Sequence, residues 1–362
     1  MALNSAQLIA TGQLDGFRNR IINGDMRIDQ RNAGASVTLP AAIVTYVLDR
    51  WAHFEDTDGV ATVQRSTNAP AGFTNSLLVT TTTADASLAA TQRLTAAQVI
   101  EGFNAADLAW GSASAVSVTL SFWVRSSLTG TFGGAVKNGA NNRSYPFTYT
   151  ISSANTWEKK TITVPGDTTG TWPTDNSPSI AINFGLGVGT TYSGTAGSWQ
   201  AADFNSTTGA VSVIGTLNAT WQITGVQLEK GPVATDFDFR SYGQELALCQ
   251  RYFTKIIWSR DEWAWANNSV SDFRGTHYDF PVEMRANPTF TVTQGWNLYA
   301  SSALFWNFPN AWTFYTNGKS YQPVKDLTGE PALTNHTAYM LRSNVGTNGS
   351  YTAVNISVSA EL

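Results

Sequence analysis

Val116-Ser-Val-Thr-Leu-Ser-Phe-Trp-Val-Arg125 is the stretch whose reading decides the fold. Val116, Val118, Leu120, Phe122 and Val124 alternate with Ser117, Thr119, Ser121, Trp123 and Arg125. Successive side chains of a strand point to opposite faces, so a period of two marks a strand with one face buried. The alternation returns in Ile180, Ile182, Phe184, Leu186 and Val188, and in Ile162 and Val164 after Trp157. A further run, Trp221 and Ile223 followed by Val226 and Leu228, slips phase at Gly225, where a β-bulge is expected. Polar loops rich in Gly, Asn, Ser, Thr and Pro separate these runs, as at 137–143 and 166–178. Many strands with little helix and no repeat of fixed period predict a β-sandwich rather than a propeller or solenoid.

Outward from this core, the β pattern begins near residue 19 and ends at 236–240. Residues 1–18 carry Leu3, Leu8, Ile9, Leu14 and Phe17, interrupted by Gly12 and Gly16. That weakly amphipathic run reads as a docking arm, since alone it buries too little to offset the entropy of ordering. At 241–253 the period changes: Leu246, Leu248, Cys249 and Tyr252 suit a short helix with Ser241 as N-cap. Residues 254–362 resume the β pattern as a smaller module, ending in Val354, Ile356 and Val358. The expected fold is therefore all-β. A jelly-roll-like β-sandwich over 19–240 is followed by a short helical connector over 241–253 and an aromatic-rich C-terminal β module over 254–362.

Charged residues make up 13% of the 362, about half the usual share, and the net charge is −4. Without a Lys/Arg cluster there is no electrostatic footprint for nucleic acid. No apolar stretch approaches the roughly 20 residues that span a bilayer, and Met1 to Phe17 lacks the basic and apolar regions of a secretory signal. Neither nucleic acid nor membrane insertion is expected. Cys249 is the one cysteine, so no intrachain disulfide can form, and its apolar neighbours predict a buried thiol. His53, His277 and His336 are dispersed, without metal-ligand spacing or a Ser-His-Asp pattern. Gly185-Leu-Gly-Val-Gly189 lies within a strand pattern, which excludes a phosphate loop. No cofactor, metal or catalytic residue is assigned.

Two brackets frame the sandwich. The first is Asn19-Arg-Ile-Ile-Asn-Gly-Asp25 with Gln30-Arg31 and Asp49-Arg-Trp51; the second runs from Ile223-Thr-Gly-Val-Gln-Leu-Glu-Lys-Gly231 to Gln250-Arg-Tyr252. Together they resemble tail-fibre and tail-associated structural proteins of tailed bacteriophages that carry a carbohydrate-binding-module-like jelly roll. The resemblance spans about residues 19–253 and continues more loosely through Phe280-Pro-Val-Glu-Met-Arg-Ala-Asn-Pro288. It implies a non-enzymatic virion protein, assembled in the host cytoplasm, with the tail favoured over the capsid. It further implies a homotrimer, attached to other virion proteins through the N-terminal arm and binding host cell-surface polysaccharide multivalently. The alternative is a purely structural role, as a capsid decoration, head-fibre or baseplate adaptor protein. Comparable Asn-Gly-Asp loops of carbohydrate-binding jelly rolls hold calcium with aspartates of the closing strand, which here reads Ile223-Thr-Gly-Val226. Asn23-Gly24-Asp25 is therefore read as turn chemistry, Trp51 as core, and Arg50 as paired with a nearby carboxylate. Trp110, Trp123, Trp157 and Trp221 are read as core or sheet-face residues.

The second module concentrates aromatics in polar surroundings. Sugar rings stack their C–H faces on aromatic rings while carboxylates and amides take the hydroxyls. Asp261, Trp263, Trp265 and Asn267, with Trp296 and Tyr299, are accordingly the candidate glycan surface; the competing reading is a module core or a subunit seam. Asp261, Glu262, Asp272, Asp279 and Glu283 have no spacing that enforces the facing carboxyl pair of a glycosidase.

Overall fold

The alternation centred on Phe122 becomes a nine-residue strand, Val118–Ser126, whose Val118, Leu120, Phe122 and Val124 are fully buried. The computed structural model describes residues 17–258, 262–266, 272–274, 277–292, 296–300, 303–308, 313–326, 338–343 and 354–362. It divides into two units, one reaching Glu245 and taking in Leu362, the other spanning Leu246–Glu361.

The first unit is a sandwich of two six-stranded sheets. In chain order its strands are β1 (Val37–Thr38), β2 (Thr45–Leu48), β3 (Trp51–Glu55), β4 (Val60–Ser66), β5 (Ser76–Thr83), β6 (Arg93–Glu101), β7 (Val118–Ser126), β8 (Gly130–Asn138), β9 (Ser144–Ile151), β10 (Glu158–Val164), β11 (Pro178–Val188), β12 (Ser193–Gly194), β13 (Ser206–Thr207) and β14 (Thr220–Lys230). The first sheet runs β1-β4-β5-β14-β7-β10 and the second β2-β3-β6-β11-β8-β9. Their inner faces meet in one core in which Phe122 contacts Tyr149 and Phe184 edge-on, at 5.2 and 5.1 Å between ring centroids. Each such fully buried side chain contributes about 1.5–3 kcal/mol of apolar transfer. The bulge read at Gly225 is present: the β14–β7 register shifts between Thr224 and Gln227, and Gly225 has φ +61°.

The bracket residues form the lock that closes the sandwich. Asn23, at φ 56°, donates from Nδ2 to the carbonyls of Ile28 and Asp49 at 2.8 and 3.0 Å and accepts from the Ile28 N–H at 2.9 Å. Trp51, fully buried as expected, donates from its indole to the Asn23 carbonyl at 3.0 Å. Asn19 donates to the Val226 carbonyl and accepts from the Leu228 N–H, both at 3.2 Å. Arg240 donates to the carbonyls of Asn19 and Ile21, and Glu245 accepts from the Asn23 N–H. Bonds of this kind offset the cost of burying these polar groups. The brackets are thus structural, and Arg50 is buried with its guanidinium on the Val99 carbonyl.

The connector helix spans Tyr242–Gln250, shorter than the 241–253 read from the pattern. Ser241 and Gln244 cap it reciprocally: the Gln244 N–H donates to Ser241 Oγ, and the Ser241 N–H to Gln244 Oε1. Tyr252 N–H closes a tight turn onto the Cys249 carbonyl at 2.9 Å, and Phe253 enters a strand at once. Cys249 is fully buried.

In the second unit, Val354–Ser359 lies between Phe253–Trp258 and Thr289–Val292 in a three-stranded antiparallel sheet. A larger sheet carries Glu262–Ala266 and Trp296–Ala300 on either side of Ala338–Ser343. Phe280, Phe290, Phe314 and Tyr321 stack into a small core, Phe290 and Phe314 lying 4.3 Å apart.

Candidate functional site

A sandwich has two outer faces, and in this one they differ. The second sheet is roofed by the chain between β11 and β14. Gly133 and Gly185 carry no side chains on that face, and a Cβ on either would lie 2.4 or 2.6 Å from Ser206 Oγ, so strand β13 is seated directly on the sheet. Around it, Arg93 lies over the rings of Phe54 and Tyr192, at 4.8 and 4.0 Å, and pairs with Asp203 at 3.5 Å. Lys137 is buried beneath the same segment, against Asp203 and Asn205. This face is filled by the protein's own chain.

The outer face of the first sheet is exposed along β10, at Lys159, Thr161 and Thr163, and buried towards its centre, where Thr119, Ser121, Thr224 and Gln222 are at most 3% exposed. Leu77, Val79, Trp221, Ile223, Phe122 and Val124 point into the core, so their alternate neighbours point outward. Gln64, Leu78, Gln222 and Arg125 fall in register across four adjacent strands. The next residue in that direction, Trp157, is half-buried and immediately precedes β10. One row over, Trp123 is flanked in register by Thr224 and Lys159. Trp123, Trp157 and Arg125 are half-buried and Lys159 is exposed.

The polar groups of this face are linked into a chain. Arg125 donates from Nη1 to Gln222 Oε1 at 2.7 Å and from Nε to the Asn155 carbonyl at 2.9 Å. Gln222 Nε2 donates to Ser76 Oγ at 3.2 Å, and Ser76 Oγ donates to the Asn68 carbonyl at 2.7 Å. Trp157 donates from its indole to Asn68 Oδ1 at 3.1 Å. The buried Thr224 hydroxyl beside Trp123 has no hydrogen-bond partner among the described residues. At one end stands a wall of Phe73, Phe237 and Phe239, mutually 4.7–5.3 Å apart, with Phe239 56% exposed. The bulge at Gly225 admits this wall, since a Cβ there would sit 2.6 Å from the Phe73 ring and 3.2 Å from that of Trp123. Half-buried indoles can stack on apolar faces of a polyhydroxylated ligand, and Arg125 and Lys159 beside them can bond its hydroxyls, while the buried Gln222 and Ser76 hold Arg125 in place.

Of the residues singled out from sequence, Asp261 and Asn267 lie outside the described residues. Trp263 and Trp265 are on Glu262–Ala266, and Trp296 and Tyr299 on Trp296–Ala300. Their strands flank Ala338–Ser343, where Met340 is the register partner of both Trp263 and Tyr299. Tyr321 is a core residue in the ring stack and Tyr315 is 57% exposed. Trp123 and Trp157, expected as core or sheet-face residues, stand half-buried on the outer face of the first sheet with Arg125, and Gln222 lies buried beside them. Trp123 and Arg125 occupy the outward phase of the alternation in 116–125, which is the sequence signal for this face. Trp110 and Trp172 keep the structural role expected of Trp110: with Trp199 they form an edge-on cluster, and each of the three indoles donates to a backbone carbonyl. Among the described residues, no group of three or more His, Cys, Asp or Glu side chains could hold a metal ion, and no helix is long and apolar enough to cross a membrane.

No family model matches the chain, and no curated protein matches it. Several solved structures are similar to it. The enzymatically active domain of tailspike protein 4 from bacteriophage CBA120 aligns at 12% identity and a TM-score of 0.29, over 59% of this chain and 21% of that one. A family 11 carbohydrate-binding module from Clostridium thermocellum, in complex with a mixed-linked tetrasaccharide, aligns at 12% identity and a TM-score of 0.26, over 57% of this chain and 100% of that one. The N-terminal cellulose-binding domain of Cellulomonas fimi β-1,4-glucanase C aligns at 16% identity and a TM-score of 0.24, over 51% of this chain and 90% of that one. The chain spans about a fifth of the tailspike structure, and all three scores are too low to carry a function across.

Proposed function

We propose that this protein is a non-catalytic glycan-binding module, and that the outer face of its first sheet, at Trp123, Trp157 and Arg125, holds the ligand. The observation that carries this reading is the placement of half-buried Trp123 and Trp157 on one outer face beside half-buried Arg125, whose guanidinium is held by the buried Gln222, itself bonded to Ser76. Rings supply stacking area, and the bonded polar groups are held in place before a ligand arrives, which lowers the ordering cost of binding. Two rings and a guanidinium spread over neighbouring strands of a sheet suit an extended chain of sugars contacted weakly at several points. The finer reading is a structural component of a tailed phage virion, in the tail rather than the capsid. It rests on the two sequence brackets and adds avidity through a homotrimer attached by the N-terminal arm. Trp263, Trp265, Trp296 and Tyr299, with Asp261 and Asn267, remain in the proposal as a second glycan surface.

The Phe73, Phe237 and Phe239 wall favours one other reading, in which the same face packs against a neighbouring virion protein and has a purely structural role. Binding of the full-length protein to an immobilised panel of bacterial surface polysaccharides separates the two. Retention that is lost in Trp123→Ala and kept in a Trp263→Ala/Trp265→Ala double variant supports the first-sheet site. The opposite pattern moves recognition to the second unit, and no retention on any polysaccharide supports the structural role.

A further inference from the structure

Under the roof of the second sheet, Lys137 is 4% exposed and Asn205 3% exposed, and Lys137 Nζ lies 3.2 Å from Asn205 Oδ1. The Asp203 carboxylate contacts the same Nζ. We propose that Lys137 and Asn205 condense into an intramolecular isopeptide bond, with Asp203 carrying the proton.

Several features converge on this chemistry. The two reacting groups come from separate segments, yet each is fixed. Lys137 is on β8, in register with Ala181 of β11, and Asn205 is pinned by its N–H to the Tyr192 carbonyl at 2.8 Å and by the seat of Ser206 on Gly133 and Gly185. The hydrogen bond from Nζ to Oδ1 holds the amine beside the carboxamide, and such holding turns a slow bimolecular amidation into an intramolecular step. Burial disfavours the charged ammonium, opposing the attraction of Asp203, and the nearby Arg93 charge works in the same sense as burial. A neutral amine is the nucleophile the reaction needs. Asp203 is the only one of the trio with appreciable access to solvent, and Arg93 holds its other oxygen at 3.5 Å.

The step balances without any outside reagent. The Nζ lone pair attacks Cγ of Asn205, forming a new C–N bond, and the carbonyl π electrons move to Oδ1. Asp203 takes a proton from Nζ and delivers it to Nδ2. As the carbonyl re-forms, the Cγ–Nδ2 bond breaks and ammonia leaves, so lysine amine plus asparagine amide become one secondary amide plus ammonia. Nothing is oxidised or reduced. The product ties the roof segment to β8 and so fastens the loop that closes the second outer face.

The test is accurate intact mass of the purified full-length protein, followed by tandem mass spectrometry of its tryptic peptides. The expected result is a chain lighter than its sequence by one ammonia, with the 137 and 205 peptides recovered as one branched species. Asn205→Ala and Lys137→Arg should restore the full sequence mass, the arginine variant keeping the charge beside Asp203 while lacking a reactive amine. Asp203→Ala should leave the chain largely unlinked. A native chain at full sequence mass, after prolonged warming below its unfolding temperature, overturns the proposal. Loss of water instead, with the branch mapped to Asp203, also overturns it by assigning the bond to a different acceptor.

Discussion

A Cβ placed on Gly24 would lie 2.2 Å from the Val226 carbonyl oxygen, while the Val226 N–H donates to the Gly24 carbonyl at 2.9 Å. The opening bracket therefore touches the closing strand backbone to backbone, and only glycine permits it. Gly24→Ala forces the two segments apart inside a packed core and is expected to cost about 1–3 kcal/mol or more. Chemical denaturation of the full-length protein reads this as a lowered midpoint; an unchanged midpoint would mean that the bracket yields without strain.

Asn23→Ala leaves the carbonyls of Ile28 and Asp49 and the Ile28 N–H without their partner in a fully buried site. Each orphaned buried group costs about 1–3 kcal/mol. Asn23 also adopts a left-handed backbone, which alanine tolerates less well. A loss of several kcal/mol, larger than that of any surface Asn→Ala change in the same protein, is the expected outcome in equilibrium unfolding.

The alternation in 116–125 made the sandwich legible, and the slip at Gly225 made its bulge legible, because core phase and strand pleat share a period of two. The brackets were visible as motifs but not as a lock, since the bonds from Asn19 to Val226 and Leu228 reach across about 200 residues and no local pattern encodes them. The candidate face was hidden for a related reason. Trp123 belongs to an obvious strand, but whether its outward side is roofed or open depends on loops far away in sequence. On the second sheet such a loop covers the face, and on the first the loop carrying Asn68 and Phe73 borders it. Aromatic density drew attention to the second unit, where Tyr321 proves to be core.

His53 is fully buried, neither ring nitrogen has a hydrogen-bond partner among the described residues, and burial lowers its pKa to about 3. The unfolded chain, with an ordinary value of 6.5, binds a proton before the folded one does. Stability from this group is therefore complete above about pH 6.5 and falls as the pH drops towards 3. His53→Leu should flatten this part of the stability profile. Thermal unfolding from pH 7 to pH 4 checks it, and an equal acid-induced drop in variant and parent would contradict the assignment.

Gly225→Val should act on ligand binding as well as on stability. The φ of +61° disfavours a β-branched residue, and the added side chain displaces Phe73 and Trp123. Weaker glycan retention by a variant that still unfolds cooperatively is the expected result.

The central claim is best tested by titrating the full-length protein with whichever bacterial polysaccharide it retains, beside the variants Trp123→Ala, Trp157→Ala and the pair together. Ring contacts of this kind contribute about 0.5–1.5 kcal/mol each. The double variant should therefore weaken Kd by roughly fivefold or more while unfolding at nearly the parental denaturant midpoint. An unchanged Kd in the folded double variant would contradict the account and remove the first sheet's outer face from recognition.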